Sequence, residues 1–169
     1  MQSTGNRDKF LTVISTHKGI IYKVANAYCK SAEDRKDLLQ EIILQLWKCF
    51  DKYSDKYQYS TWIYRIALNT AISFFRRETR RQQVAQPLSD SVLHLVQPAH
   101  NTVADEQIRS LQLFIGELKD LDKALMLLYL EEKSLREIAG IMDLSETNVS
   151  TKIGRIKNIL RQKFLTIKT

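Results

Sequence analysis

The chain reads SLREIAGIMDLSETNVSTKIGRIKNILRQKF from residue 134 to residue 164, and this stretch predicts two helices joined by a tight bend. Ser134 and Glu137 have the spacing of a capping box, in which the hydroxyl and the carboxylate each accept a hydrogen bond from an orphan backbone amide. Ser145 is placed to cap the second helix. Three or four residues around Asp143 would form the bend. The pattern is that of a helix-turn-helix.

The second of these helices combines an apolar side with a small polar one. Its predicted inward stripe comprises Val149, Ile153, Ile156, Ile159, Leu160 and Phe164. Its polar N-terminal face carries Ser150, Thr151, Lys152 and Arg155. Because a helix fits the major groove of DNA, hydroxyls and Arg can reach base edges there while Lys neutralises phosphate charge. We predict that this face contacts duplex DNA; the alternative is a solvated basic helix end.

A longer amphipathic helix is predicted upstream, capped by Ser60 or Thr61 and continuing to about residue 81. Its polar face and basic end comprise Arg65, Asn69, Ser73, Arg76, Arg77, Arg80 and Arg81. Aromatic residues surround its beginning: Tyr53, Tyr57, Tyr59, Trp62 and Tyr64. Aromatic rings beside guanidinium groups suit unpaired bases, since stacking and phosphate attraction together hold a single strand. This combination predicts contact with opened DNA, although Trp62 and Tyr64 taken singly are equally well interpreted as core residues, and Asn69 as surface.

Two further helices are predicted before this one, over about 10–29 and 37–50. In the second, apolar residues at steps of three and four form one stripe: Leu38, Leu39, Ile42, Ile43, Leu46, Trp47 and Phe50. We expect the stripe to pack against the first helix. The opposite face is polar, with Asp37, Gln40, Glu41 and Gln45, and the residues alone assign it no role.

Composition supports an all-α fold. The chain has 169 residues, a formal net charge of +7, and only 5 Gly and 2 Pro, which disfavours many-stranded sheets and Gly-rich phosphate loops. Residues 1–83 hold 15 basic and 8 acidic side chains, residues 105–169 hold 11 and 10, and residues 84–104 hold one charged side chain and both prolines. We therefore predict two small helical domains, 1–83 and 105–169, joined by an irregular linker at 84–104. Helices in the second domain are expected over about 105–118, 121–130, 135–142 and 146–164.

Catalytic and metal-binding functions have little support in the sequence. Cys29 and Cys49 are too few and too far apart for a metal site, and we interpret both as buried small hydrophobes in a reducing compartment. A nucleic-acid-modifying enzyme would need a cluster of acids, His or Cys that the sequence does not supply. No apolar run approaches the roughly 20 residues of a membrane span, and no signal peptide is visible. We expect a cytoplasmic protein that is not an enzyme, uses no cofactor and does not insert into a membrane.

Three stretches together resemble a known family. They are DLLQEIILQLWKCFDKY at 37–53, STWIYRIALNTAISFFRRETRR at 60–81 and LREIAGIMDLSETNVSTKIGRIKNILRQKF at 135–164. In order and separation they are similar to conserved regions 2 and 4 of the extracytoplasmic-function (group IV) sigma factors, the small promoter-specificity subunits of bacterial RNA polymerase. The run from Trp62 to Asn69 is the most particular part, whereas a helix-turn-helix alone is shared by many regulators.

The resemblance implies a role for each polar surface. The β′ clamp helices of core polymerase would be bound by Asp37, Gln40 and Glu41. The melted −10 element would be held by Trp62, Arg65, Asn69, Thr70, Arg76 and Arg77, while the loop at 55–60 reads a base flipped out of the stack. The −35 element would be read as duplex by Ser150, Thr151, Lys152 and Arg155.

The resemblance also implies partners. Such factors contact the polymerase β subunit as well as β′, promote strand opening, and are commonly held by an anti-sigma protein that is often membrane-anchored. Their linker runs near the active-site and RNA-exit channels of the polymerase. This chain departs from the family pattern at Asp143, where Gly is usual, and at Ser150 and Gly154, which leave a small recognition surface. A stand-alone helix-turn-helix regulator that dimerises through its first domain is the alternative function.

Overall fold

The computed structural model describes residues 2–84 and 103–168, which form seven α-helices, one 3₁₀ turn and no strand. This confirms the predicted all-α fold class. The elements are α1 (Gln2–Tyr28), α2 (Ala32–Cys49), the 3₁₀ turn (Phe50–Lys52), α3 (Tyr59–Val84), α4 (Val103–Gly116), α5 (Asp120–Leu130), α6 (Leu135–Met142) and α7 (Glu146–Ile167). We call residues 2–84 lobe 1 and residues 103–168 lobe 2. The predicted linker at 84–104 lies outside the described residues except at its two ends.

Lobe 1 is a bundle in which α1, α2 and α3 pack against one another. Its fully buried side chains are mostly aliphatic: Val24, Leu38, Ile42, Leu46, Ile63 and Leu68. The predicted inward stripe of α2 is correct for Leu38, Ile42, Leu46 and Phe50. It is wrong for Ile43 and Trp47, which are 39% and 42% exposed.

The stripe fails there because α1 and α3 cover only part of the apolar surface of α2. One side of the Trp47 ring meets Phe10 edge to face, with ring centroids 5.0 Å apart, while the rest of the indole faces solvent. An exposed apolar strip is thus left along α2, beside the polar face of the same helix.

Helix beginnings in lobe 1 differ from those expected. Helix α1 begins at Gln2, well before the predicted start near residue 10. Helix α3 begins at Tyr59, so Ser60 and Thr61 lie inside the helix and the prediction that one of them caps it is wrong. The cap that sequence reasoning missed is Ser31, whose hydroxyl accepts a hydrogen bond from the Asp34 amide at 3.1 Å.

Lobe 2 packs α4, α5 and α6 around α7, and its helix-turn-helix is built as predicted. The Ser134 hydroxyl accepts from the Glu137 amide at 3.1 Å, and the Glu137 carboxylate accepts from the Ser134 amide at 2.7 Å. The Ser145 hydroxyl accepts from the Asn148 amide at 3.1 Å. Asp143 ends α6 in the left-handed region, with φ 55° and ψ 48°.

This turn fixes the angle between α6 and the recognition helix α7. The Leu144 amide donates back to the Ala139 carbonyl at 3.0 Å, which closes the end of α6 in a Schellman arrangement. Val149, Ile153, Ile156 and Leu160 are buried as predicted. Ile159 is 39% exposed, so its predicted inward placement is wrong. The polar side of α7 is therefore free to face a ligand.

The two cysteines are both free, and they differ in environment. Cys29 is buried, as predicted, and burial raises the pKa of its thiol to about 11, with the nearby Asp34 carboxylate adding to the effect. Cys49 is only half-buried, so the interpretation of both residues as buried is correct for Cys29 alone.

Candidate nucleic-acid and polymerase interfaces

An aromatic cleft opens where the 3₁₀ turn leads into α3. Tyr53 and Tyr59 stack with centroids 4.2 Å apart and planes 16° from parallel. Trp62 meets Tyr53 edge to face at 5.4 Å. Beside them lies an open cleft of about 510 Å³, lined by His17, Tyr53 and residues 55–60. The loop at 55–60 thus borders a concave surface with stacked rings at its wall.

Three of the six predicted −10 residues are uncharged residues of α3, and they differ in how far they are exposed. Trp62 is half-buried within the aromatic group. Asn69 is exposed on α3. Thr70 is 9% exposed, and its hydroxyl donates to the Ile66 carbonyl one turn back at 2.7 Å. Of these three, Asn69 presents its amide to solvent, whereas the Thr70 hydroxyl already has a partner inside the helix.

The three predicted −10 arginines all have partners in the structure. Arg65 lies over the Tyr57 ring at 5.4 Å and donates to the Gly140 and Ile141 carbonyls at the end of α6. Arg76 forms an ion pair with Asp120 at 2.5 Å.

Arg77 connects α3 to α2 within lobe 1. Its guanidinium pairs with Glu41 at 2.6 Å and lies 5.9 Å from the centroid of the Phe74 ring. The sequence interpretation gives Glu41 to polymerase and Arg77 to DNA, so this ion pair joins two surfaces that were treated separately. Both side chains are accessible, and such a pair contributes little net stability.

The predicted polymerase face of α2 is continuous with an apolar strip. Asp37 and Gln40 are exposed and Glu41 is half-buried. Leu44 and Trp47 follow Gln40 at the four- and seven-residue steps that share a helix face, and both are substantially exposed. Sequence reasoning placed Trp47 in the core and did not single out Leu44, because an apolar residue at helical spacing is usually buried. The missing signal was how little of α2 its neighbours cover.

The recognition helix presents its predicted residues outward. Ser150, Thr151 and Arg155 are exposed and Lys152 is half-buried. The Thr151 hydroxyl donates to the Thr147 carbonyl at 2.9 Å, so its hydrogen is already bonded while its oxygen can still accept. Gly154 opens onto empty space, since a Cβ built there would meet nothing within 4 Å. The small recognition surface expected from Ser150 and Gly154 is therefore shallow at its centre.

Two outward residues at the start of α7 were missed. Thr147 and Asn148 are exposed in its first turn, directly after the Ser145 cap. The first turn of a recognition helix is the part that enters the groove most deeply. Their position after a predicted N-cap was the signal that could have found them.

Among the described residues, no group of three or more His, Cys, Asp and Glu side chains is arranged to hold a metal ion. Along the same ranges, none of the helices combines the length and the apolar character needed to cross a bilayer.

Comparison with known families identifies both lobes. Residues 13–81 match the family model of sigma-70 region 2, and residues 108–160 match that of sigma-70 region 4. Together the two matches span well over half of the chain and coincide with the aromatic cleft and the helix-turn-helix. The chain is an extracytoplasmic-function sigma factor. Sigma factors are transcription initiation factors.

Whole-length relatives agree with this family assignment. The chain is 27% identical to the ECF RNA polymerase sigma factor SigW of Bacillus subtilis, over 94% of this chain and 90% of that protein. It is 25% identical to the ECF RNA polymerase sigma-E factor of Escherichia coli K12, over 94% and 88%.

Two solved structures share the fold. CnrH, in complex with the cytosolic domain of CnrY, superposes with a TM-score of 0.67 at 18% identity, covering 98% of this chain and 93% of that one. The sigma factor RpoE of Bartonella quintana, in complex with the anti-sigma factor NepR, gives 0.66 at 18% identity, covering 94% and 95%. At this level of identity the likeness concerns the fold.

Proposed function

We propose that this sigma factor joins core RNA polymerase and directs it to promoters by binding two unlike DNA elements, one melted and one duplex. The observation that carries the proposal is the aromatic cleft at the start of α3, with stacked Tyr53 and Tyr59 beside an arginine-bearing helix. A protein that binds only duplex DNA gains nothing from such a cleft, because the aromatic rings of the cleft can stack only on bases that have left the DNA helix.

Lobe 1 is the part that binds the melted −10 strand. A base that leaves the duplex loses a few kcal/mol of stacking and pairing. Stacking on an aromatic side chain returns about 1–3 kcal/mol per base, so the cleft offsets most of that cost. Asn69 adds an exposed amide for a base edge, while Arg65, Arg76 and Arg77 supply cations for the phosphates. Trp62 supports the cleft from within, and Thr70 holds its turn of α3.

Lobe 2 is the part that reads the −35 element as duplex. Its recognition helix brings Ser150, Thr151, Lys152 and Arg155 to the major groove, and the exposed Thr147 and Asn148 extend this surface to the helix N-terminus. Each phosphate that the protein neutralises releases counterions, so the logarithm of duplex affinity should fall by about 0.9 per phosphate contact for each tenfold rise in salt.

Helix α2 is the part that binds the polymerase. Asp37, Gln40 and Glu41 form a polar edge, and Leu44 and Trp47 provide an apolar centre for the contact. Polar groups at the rim and an aromatic residue near the middle are the usual composition of a protein interface. We assign this face to the β′ clamp helices, and we assign contact with the β subunit to surfaces elsewhere on the chain.

No covalent chemistry is assigned to this protein. Strand opening draws on the higher affinity for melted than for duplex DNA at the −10 position. The complex of RpoE with the anti-sigma factor NepR supports control of this chain by an anti-sigma protein. We infer that this regulatory protein covers the polymerase-binding face and is anchored in the membrane. We place the protein in the cytoplasm, with the polymerase.

The test is reconstitution with bacterial core polymerase, followed by transcription from a genomic library. We expect start sites that share two upstream elements, protected only when sigma factor and core are both present. A stand-alone regulator would instead protect a single site, often a palindrome, without polymerase, and that result would overturn the proposal.

A further inference from the structure

The two lobes are in direct contact in this structure, and the contact involves the residues assigned to the melted strand. One side of lobe 2 lies against α3 of lobe 1 and reaches Lys23 and Tyr28 of α1. We call it the docking face; it comprises Asp120, Lys123, Glu131, Lys133 and the carbonyls of Gly140 and Ile141. A role for this contact rests on the proposed function, since it concerns the availability of the −10 surface.

Opposite charges meet across the docking face. Lys23 of α1 pairs with Glu131 at 2.7 Å, and Arg76 of α3 pairs with Asp120 at 2.5 Å. Lobe 1 carries the excess of positive charge in this chain, so the carboxylates of lobe 2 lie where lobe 1 attracts them.

Arg65 makes the most specific of these contacts. Its guanidinium donates to the Gly140 and Ile141 carbonyls in the last turn of α6. Carbonyls at a helix C-terminus lack partners within the helix and lie at the negative end of its dipole, so they suit a cation. In a melted-promoter complex the same guanidinium would hold a phosphate, which is also an anionic acceptor.

The centre of the docking face is buried. The Tyr28 hydroxyl donates to the Asp120 carbonyl at 2.6 Å, and burial, with the Asp120 charge, raises the pKa of that hydroxyl and keeps it protonated. Lys123 is 3% exposed and lies 5.2 Å and 5.0 Å from the centroids of Tyr28 and Phe75. These rings stabilise the cation, while its loss of hydration opposes closure. The interface therefore combines specific contacts with the free-energy cost of removing the Lys123 ammonium from water.

We propose that the docking face of lobe 2 binds lobe 1 of the same chain and, in this closed form, competes with single-stranded promoter DNA for Arg65 and Arg76. In the closed form the α6 carbonyls occupy donors of Arg65 and the Asp120 carboxylate neutralises Arg76 and repels a phosphate, so only the open form has the full −10 surface. The apparent affinity for the strand is the intrinsic affinity multiplied by the open fraction. An open fraction of about one in ten lowers it about tenfold.

A charge-neutral variant tests the competition. Tyr28→Phe removes the donor to the Asp120 carbonyl without touching a residue assigned to DNA or polymerase. We expect it to open the chain and to tighten binding of a fluorescent single strand of mixed sequence about two- to fivefold, without polymerase. A mixed sequence suffices because the contested contacts are to phosphates. Tyr22→Phe, at an exposed tyrosine of the same helix, is the matched control and should change neither property.

A charge-swap cycle tests the docking itself. Lys23→Glu and Glu131→Lys should each increase the interlobe distance measured by energy transfer between dyes on the two lobes, and the double variant should restore it. The double variant has the wild-type net charge. Lys23→Glu lowers the net charge and Glu131→Lys raises it by the same amount, so averaging the logarithms of their affinities for the single strand removes the effect of net charge. We expect this mean to exceed the wild-type value, and the double variant to return to it.

Each outcome supports or overturns one part of the proposal. Single variants that leave the interlobe distance unchanged would overturn the docking, and variants that open the chain without tightening strand binding would overturn the competition. Both measurements omit polymerase, so their failure is distinct from failure of core-dependent transcription, which would instead contradict the proposed function.

Discussion

Lobe 1 and lobe 2 are both helical, yet their structures depend on different kinds of information. Lobe 1 is made of three helices of 18 to 27 residues that cover one another along their length. Lobe 2 combines three short helices of 8 to 14 residues with the 22-residue α7, and its junctions carry caps and left-handed turns. Lobe 1 therefore depends mainly on side-chain burial, while the geometry of lobe 2 depends on backbone groups at the ends of its helices.

The largest expected effect is on the core of lobe 1. Leu46→Ala removes a fully buried side chain of α2 and leaves a cavity, so we expect a loss of about 2–5 kcal/mol in the free energy of unfolding. Leu44→Ala, two residues away and 50% exposed, should change it by less than about 0.5 kcal/mol. Urea denaturation measures both.

The same pair separates packing from polymerase binding. Because Leu44 lies on the face assigned to polymerase, Leu44→Ala should weaken binding to core enzyme while the fold stays intact. Loss of stability in Leu44→Ala equal to that in Leu46→Ala would show that this face is part of the core.

The next largest effect divides DNA recognition between the lobes. Asn69→Ala should impair strand opening or −10 selectivity, and Arg155→Ala should weaken recognition of the upstream element, each about tenfold or more, since one base contact contributes about 1–3 kcal/mol. Promoter variants altered in one element at a time, transcribed with each protein variant, measure this. Both variants should bind core polymerase normally; an equal loss of core affinity in the two would contradict the assignment.

The contrast between the lobes explains what could be predicted from sequence. The capping box at Ser134, the cap at Ser145 and the bend around Asp143 are signalled within a few residues, and all three are confirmed. The buried ammonium of Lys123 could not be predicted, because its surroundings come from Tyr28 and Phe75 of the other lobe. For the same reason, no local pattern indicates that Arg65 and Arg76 bind lobe 2.

Exposure on α2 was misjudged for a related reason. A helical stripe states which residues share a face, and it does not state how wide a surface the neighbouring helices cover. Ile43 and Trp47 lie at the edge of that surface, so periodicity placed them inside while the packing of α1 and α3 leaves them accessible. Of the candidate site, residue types and faces were predictable, but the partners of each arginine were not.

A smaller effect concerns the left-handed turns of lobe 2. Glu132 and Asp143 both have positive φ, at 59° and 55°. Asp tolerates this region better than Glu, because its short side chain can bond locally. We expect Glu132→Gly to raise the free energy of unfolding by about 0.5–1 kcal/mol, and Asp143→Gly to change it less, since the entropy that Gly loses offsets the smaller relief of strain. Destabilisation by Glu132→Gly would contradict the left-handed conformation there.

The smallest effect depends on pH and compares the two caps of the helix-turn-helix. Hydrogen bonds from the Ser134 amide and hydroxyl hold the pKa of the Glu137 carboxyl below its usual value of 4.5. A carboxyl with a depressed pKa in the folded state stabilises the fold above its unfolded pKa and loses that contribution as pH falls through the folded pKa. Ser134→Ala should therefore cost about 1 kcal/mol at pH 7 and less near pH 3, because the variant keeps the amide donor of residue 134 but lacks the hydroxyl bond to ionised Glu137, and that bond is lost in the wild type as well once Glu137 is protonated. Ser145→Ala should cost a similar amount at both pH values, because Asn148, the residue at the same position after that cap, does not titrate. Thermal unfolding of the two variants at both pH values measures the difference, and an equal pH dependence for the two caps would show that the Glu137 carboxylate adds nothing to the first.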